Sequence, residues 1–279
     1  RTPTAVNTIE YITISTTGNS QDFGDISSGS PYNPAACSSS TRGLIGGGNG
    51  PVTNNIDFIT IASTGNSADF GNLTQSRWLL ASCSSSTRGL FGGGYAPGSQ
   101  NTLDYVTIAS TGNAQDFGDL TVARNGLSAC SSATRGIFAG GRVPSPYYNV
   151  IDFTTISTLG NAQDFGDLIS VLAEFSAFSN STRGIFAAGD TPSLTNTIQY
   201  ITISTLGNSA NFGDTSSASR AFGSCASSTR GVYTLSINPS VLNTIEYVTI
   251  LTEGNAVDFG DLVSVIRDNA GLSNAHGGL

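Results

Sequence analysis

The chain has 279 residues, only 11% of them charged, and a formal net charge of −8 with every basic residue an Arg. An acidic chain without Lys or a basic run lacks the concentrated positive charge that phosphate binding needs, which excludes nucleic acid as a partner. No apolar run approaches about 18 residues, so neither a membrane-inserted helix nor a signal peptide is expected. The sequence contains no Met, so Arg1 reads as the start of a processed product or of the C-terminal domain of a longer chain.

An internal repeat organises the whole chain. The pattern Asn-x-[Ile/Leu]-[Asp/Glu/Gln]-[Tyr/Phe] begins at Asn7, Asn54, Asn101, Asn149, Asn196 and Asn243. It divides a single domain, 1–279, into copies 7–53, 54–100, 101–148, 149–195, 196–242 and 243–279. The third copy predicts four strands in chain order. Strand c is Thr102 to Ala109, strand d surrounds Phe117 to Val122, strand a is Leu127 to Ser131, and strand b is Gly136 to Ala139 before Gly140 and Gly141. Turn residues separate them. Strands b and c are apolar on both pleat faces, as in Ile137-Phe138 and Val106 with Ile108. A sheet with one wet face would alternate, so each small sheet is expected to be covered on both sides.

Six such sheets predict an all-β, six-bladed β-propeller. A straight solenoid would use shorter repeats and capping units. The sixth copy stops where strand b begins, and the first copy starts just before strand c. The ring is therefore expected to close by joining N- and C-terminal strands, which removes open edges. Most of one strand b is then missing. The match of Gly140-Gly141-Arg142-Val143-Pro144 to the opening Arg1-Thr2-Pro3 puts it just upstream of Arg1.

Asp-Phe-Gly recurs at Asp22, Asp69, Asp116, Asp164 and Asp258, with Asn211 in the fifth copy. Repetition and the lack of Lys exclude a kinase metal site. The expected role is a structural c–d turn, the Asp side chain accepting from backbone N–H groups. Calcium held by pairs such as Asp116 and Asp119 is the alternative. Thr-Arg-Gly recurs at Arg42, Arg88, Arg135, Arg183 and Arg230, with Gly277 in the sixth copy. The a–b and c–d turns share one face, so these Arg residues are expected to meet the Asp-Phe-Gly-Asp turns, an anion site being the alternative. Cys37, Cys83, Cys130 and Cys225 share a strand-a place held elsewhere by Phe178 and Leu272. That apolar place predicts buried free thiols, suited to synthesis in a reducing cytoplasm, rather than disulfides or metal ligands. His276 is the only His. No Gly-x-Ser-x-Gly and no phosphate-binding Lys loop occur, so no catalytic centre, cofactor or metal is expected. A carboxylate pair for glycoside hydrolysis stays open, and it should break the repeat.

The b–c loops and d–a segments vary from copy to copy, and both fall on one face. Binding residues sit on loops held by a rigid scaffold, so this is the expected binding face. Its candidates are Tyr32, Trp78, Tyr95, Tyr147 and Tyr148, aromatics suited to sugar faces or a protein hot spot. Trp78 reads equally as a plug between blades. Arg77, Arg124, Arg220 and Arg267 read as one repeat place at the channel mouth. There they attract acidic sugars or carboxylates, or pair with local acids.

The double Gly after strand b, the Ile-Asp-Tyr run and Arg124 before strand a resemble the kelch repeat, although Phe117 stands where kelch repeats carry a Trp. Ser67-Ala68-Asp69-Phe70-Gly71 is similar to the Asp-box of sialidase propellers. The fuller wording, Asn-Thr-Ile-Asp-Tyr-Val-Thr-Ile through Asp-Phe-Gly-Asp-Leu and Thr-Arg-Gly, resembles repeats of tailed-phage virion proteins, especially of marine and cyanobacterial phages. That resemblance implies a non-enzymatic recognition or adhesion module of a tail fibre. It would be made in the host cytoplasm, carried on the virion, and bind a host-surface glycan or protein through the variable loops. Other virion proteins and further copies within a fibre are implied partners. A purely structural virion role and a glycan-cleaving propeller are the alternatives.

Overall fold

The computed structural model describes residues 6–29, 31–238, 240–266, 268–276 and 278–279. Arg267, Gly277 and Arg1 to Pro3 lie outside the described residues. The chain forms a β-propeller, and its described residues contain no helix. The first sheet is a pair, β1 (Thr8–Tyr11) with β2 (Gln21–Asp25). Blade 1 holds β3 (Ala35–Ser38), β4 (Arg42–Gly46), β5 (Asn55–Thr60) and β6 (Ala68–Asn72). Blade 2 holds β7 (Ala81–Ser84), β8 (Arg88–Gly92), β9 (Thr102–Thr107) and β10 (Gln115–Asp119). Blade 3 holds β11 (Ser128–Ser131), β12 (Arg135–Ala139), β13 (Val150–Thr155) and β14 (Gln163–Asp167). Blade 4 holds β15 (Ser176–Ser179), β16 (Arg183–Thr191), β17 (Ser193–Thr202) and β18 (Ala210–Asp214). Blade 5 holds β19 (Arg220–Ala226), β20 (Arg230–Asn238), β21 (Ser240–Val241, paired to β20 alone), β22 (Thr244–Thr249) and β23 (Val257–Asp261).

Each blade is an antiparallel meander in the order a-b-c-d, and neighbouring blades touch through their a strands around a central channel. The six repeats predict six four-stranded blades; five form. Among the described residues no strand follows β23, and β1 is paired on one edge only, so the last place holds just β1 and β2. The ends of the chain are not joined in one ladder either; they meet through contacts between sheets.

Those contacts explain the Asp-Phe-Gly motif. It lies within strand d, not in the c–d turn, and its Asp is exposed. The register slips by one residue at Phe: Asp116 faces Asp104 and Gly118 faces Leu103, so Phe117 is a bulge. The bulged ring is buried and meets the anchor aromatic edge-on, as Phe117 does Tyr105 at 6.2 Å. The following Gly118 has φ 143°, and a Cβ there would lie 2.6 Å from the carbonyl of Gly160 in the next blade. Only Gly lets the two backbones come this close. Three bonds then lock the junction. Gly160 N–H donates to Phe117 O at 2.9 Å, Ala162 N–H to Asp119 O at 2.8 Å, and Asp119 N–H to Asn161 Oδ1 at 3.1 Å. The turn Asn, not the motif Asp, is the capping side chain. The same triad joins β23 to the β1–β2 sheet through Gly18, Ser20 and Asn19, and β2 to blade 1 through Gly65, Ser67 and Asn66.

In blades 1, 2, 3 and 5 the acid of the anchor motif is buried and holds the crossover arriving from the preceding sheet. Thr74 donates to Asp104 from backbone N–H and hydroxyl, as Thr121 does to Asp152. Two of these acids carry a buried Arg partner, Arg77 with Asp104 at 2.9 Å and Arg124 with Asp152 at 3.0 Å. Where the acid is replaced by Gln199, the Arg place holds Leu172. The buried Arg is thus found only opposite a carboxylate, because a buried guanidinium alone is expensive, whereas the buried Asp57 and Glu246 are held by hydroxyl and N–H donors instead.

Candidate functional site

The two faces of the ring are built differently. On the face of the a–b and c–d turns, each Thr-Arg-Gly arginine does the same job, and it is not the expected contact with the Asp-Phe-Gly-Asp residues. Arg135 stacks 4.6 Å over Phe153 on the neighbouring strand c and donates to Ile203 O in the next blade at 2.7 Å. Arg42, Arg88, Arg183 and Arg230 repeat the arrangement, Arg230 reaching Ile14 O beyond β1. Arg lies over an aromatic because strand b pairs with strand c, which presents the anchor ring on that side; Arg183 also lies 3.9 Å from Glu253.

The central channel runs between the faces. At its mouth on the variable face the backbones form a belt. Leu79 N–H donates to Asn33 O, Gly126 to Leu79 O, Glu174 to Gly126 O, Ala221 to Glu174 O, and Asn33 to Asp268 O. Asn33, Leu79, Gly126, Glu174 and Asp268 all have left-handed φ of 50–63°. The belt encloses a cavity of about 100 Å³ lined by Asn33, Leu79, Glu174, Phe222 and Asn269 among others. Deeper in, Ser84 Oγ donates to Ser38 O, Ser131 Oγ to Ser84 O, and Ser179 Oγ to Ser131 O. Ser273 Oγ donates to Ala226 O and Ser38 Oγ to Ser273 O. His276 sits at the far end, Nε2 donating to Ser38 O at 3.0 Å and Nδ1 accepting from Gly278 N–H. Burial pushes its pKa down, against the pull of the bond to Ser38. Cys37, Cys83 and Cys130 line this inner cavity as buried free thiols, Cys225 as a half-buried one, and burial pushes the Cys37 and Cys130 thiols up to about 12.

Outside the belt a rim is formed where each d–a segment bridges its own b–c loop. The rim pairs are Tyr32 with Asn49, Trp78 with Tyr95, Asn125 with Arg142, and Ala173 with Asp190. Arg220 holds the corresponding place in blade 5, opposite Ile237. Trp78 and Tyr95 stand edge-to-face with centroids 5.9 Å apart, both half-buried.

The candidate arginines separate. Arg77 and Arg124 are fully buried in the ion pairs already described, which removes them from any surface that meets a ligand. Arg220 stands one residue further along relative to the strand-a Cys place, and a one-residue step turns a side chain to the opposite side of a strand. It therefore shares the place of Trp78, not of Arg77.

Arg220 joins a cluster that no other copy of the repeat contains among the described residues. Its guanidinium meets Glu174 at 2.7 Å and Asp190 at 3.0 Å. Arg142 also pairs with Glu174, lies 3.6 Å from Asp190, and donates to Tyr147 Oη at 3.0 Å. Tyr147 Oη in turn donates to Asp190 at 3.2 Å. Both carboxylates are nearly buried, whereas the Arg142 and Arg220 side chains are 22% and 32% exposed. Burial raises the Glu174 pKa more than Arg142 and Arg220 lower it, with Asp190 and Asp268 adding repulsion. Such a constellation offers guanidinium donors outward with acid acceptors held behind them, a surface suited to hydroxyl and carboxylate groups.

Sequence reasoning named Tyr147 and Arg220 here and missed Arg142, Glu174 and Asp190. Their signal was available: all three are charged residues in variable segments of a chain poor in charge. Tyr148 is half-buried and interacts with the buried Arg124 rather than with the cluster, and Tyr32 is half-buried on the rim of blade 1. Among the described residues no group of three or more His, Cys, Asp or Glu side chains is placed to hold a metal ion. No protein-family model matches the chain, and no curated protein sequence matches it.

Proposed function

We propose that this chain is a six-bladed, kelch-like propeller serving as a non-enzymatic recognition module of a phage virion, and that it binds a host-surface glycan through its variable face. The observation that carries the binding part is the rim. Where the opposite face repeats one set of contacts from blade to blade, the rim pairs differ in every blade and include an aromatic pair and the Arg142–Glu174–Asp190–Arg220 cluster. Aromatic edges and outward guanidinium groups suit the flat faces, hydroxyls and carboxylates of surface sugars. Support for six blades comes from the closed series of junctions and from residues 268–273, which supply the mouth belt and the serine series in the place of a sixth strand a. The virion and tail-fibre setting, with other virion proteins as partners, rests on the likeness of the repeat wording to phage proteins.

A hydrolytic reading has one observation in its favour: Glu174, held toward its protonated form, shares two arginines with Asp190. One experiment addresses both readings. The purified chain is screened on an array of bacterial surface glycans, alongside Trp78→Ala and Arg220→Ala. Binding that both variants lose, with the glycan intact over time, is the expected result. Cleavage abolished by Glu174→Gln would replace recognition with hydrolysis. Absence of any glycan binding would leave a structural role among virion proteins.

A further inference from the structure

We propose that Arg142 and Arg220 form a carboxylate subsite: the glycan met by the variable face is an acidic one, its sugar carboxylate lies on the outward edges of both guanidinium groups, and Glu174 takes up a proton as it binds. The inference rests on the recognition reading and names its ligand class.

The sequence places most of its few cations elsewhere. Arg42, Arg88, Arg135, Arg183 and Arg230 stack on anchor rings at the face of the a–b and c–d turns. Arg77 and Arg124 are buried. Among the described residues Arg142 and Arg220 are the arginines left to the variable face.

Backbone geometry decides which groups of the cluster face outward. Glu174 is a belt residue with φ 51°; its N–H donates to Gly126 O and its carbonyl accepts from Ala221 N–H. Asp190 is bonded in both directions to Ala173. The acids therefore stand on fixed backbone beneath the rim, with side chains 5% and 9% exposed. The longer arginines reach over them, Arg142 from the b–c loop of blade 3 and Arg220 from β19. Arg142 is itself bonded in both directions to Asn125, and its guanidinium lies 5.6 Å from the centre of the Tyr147 ring. Each guanidinium uses terminal nitrogens on Glu174, Asp190 or Tyr147. Among the described residues nothing accepts from the Nε–H of either. A carboxylate can accept from such edges through both of its oxygens, a geometry that a sugar hydroxyl lacks.

Charge explains the proton. Two guanidinium groups and two carboxylates leave the cluster neutral, so an incoming carboxylate adds a negative charge without a counter-charge. Glu174 is the acid placed to offset it. It faces Arg142 from the blade 3 loop, Arg220 from β19, Asp190 from the blade 4 loop and Asp268 from the belt, and burial already raises its pKa. A ligand carboxylate would share both guanidinium groups with Glu174. It would weaken their hold on Glu174 and add repulsion, and both effects favour the protonated form. The complex then holds more protons than the free chain, so affinity rises as pH falls and levels off below the Glu174 pKa of the free chain.

The test uses the full chain on an array of bacterial surface polysaccharides, divided into neutral members and members with uronic or nonulosonic acids. Acidic members should bind, and carboxyl reduction of the strongest should weaken it about tenfold or more, the loss of charge-assisted bonds. Calorimetry of that member at about pH 7.5 and about pH 5.5, in two buffers of different ionisation heat, should show proton uptake and binding tighter at the lower pH by at most about tenfold per unit. The sugar carboxylate stays ionised over that range, so the proton goes to the protein. Glu174→Gln should remove the uptake, whereas His276→Gln, at the far end of the channel, should keep it. Arg142→Ala and Arg220→Ala should each weaken the acidic member about tenfold. Binding of neutral members alone, or equal binding of the carboxyl-reduced form, would leave recognition standing and overturn the carboxylate subsite. Acidic binding that both Arg variants retain would overturn it as well. Acidic binding by the unaltered chain without proton uptake would overturn the role of Glu174. No binding to any member would remove the recognition reading, and this inference with it.

Discussion

The two faces of this ring contrast a rule with its exceptions. On the turn face one junction is built over and over: a bulged Phe, a Gly without room for a side chain, a capping Asn and an Arg stacked on an aromatic. On the loop face the same backbone path carries Tyr–Asn, Trp–Tyr, Asn–Arg and Ala–Asp rim pairs in turn. The difference shows what a tandem repeat achieves physically. Stability is assigned to positions that every copy must satisfy in the same way, which frees the opposite positions to diverge with small effects on the fold.

Substitutions can break that division. The largest effect is expected beneath the loop face, at the buried pair Arg77–Asp104. Asp104→Ala leaves a guanidinium without its counter-charge and should cost about 3–5 kcal/mol in urea unfolding. Rewriting both partners in the wording of blade 4, Arg77→Leu with Asp104→Gln, should recover most of that loss. If the double variant is as unstable as the single one, the matched-pair account is wrong.

Next comes the junction itself. Gly118→Ala forces a Cβ against the Gly160 carbonyl at a φ of 143°. It should lower stability by about 1–3 kcal/mol, and Gly98→Ala, with open space around it, should cost less. A smaller loss, about 1–2 kcal/mol, is expected for Arg135→Ala, which removes the stack on Phe153 and the bond to Ile203 O. Denaturant midpoints decide both, and equal losses at Gly98 and Gly118 would contradict the junction account.

The smallest effect is a pH dependence at the channel end. Burial lowers the His276 pKa below its ordinary value of 6.5, so the folded chain takes up this proton less readily than the unfolded one. Stability from His276 is therefore complete above that ordinary value and is lost as pH falls through the lowered one. Protonation would also turn Nδ1 into a donor facing Gly278 N–H, which it now accepts. His276→Gln should flatten this part of the melting temperature against pH. An unchanged acid slope would assign the dependence to other groups.

Much of this architecture was readable before any coordinates. Six anchors at near-equal spacing, strands apolar on both faces and Gly-rich stops determined a ring of small sheets, because such sheets can be covered only by one another. The comparison of copies also separated the constant face from the variable one. Three matters needed the tertiary structure. Asp-Phe-Gly reads as a turn because Asp and Gly favour turns, whereas the close approach of the next blade makes it a bulged strand. Arg77 and Arg220 look equivalent in the sequence, yet a shift of one residue buries one and exposes the other, since side chains alternate along a strand. Arg142, Glu174, Asp190 and Arg220 come from three blades and are distant in sequence. Only the packing of three successive blades brings them to one point on the rim, because the contacts that unite them run between blades, which the spacing within one repeat does not encode.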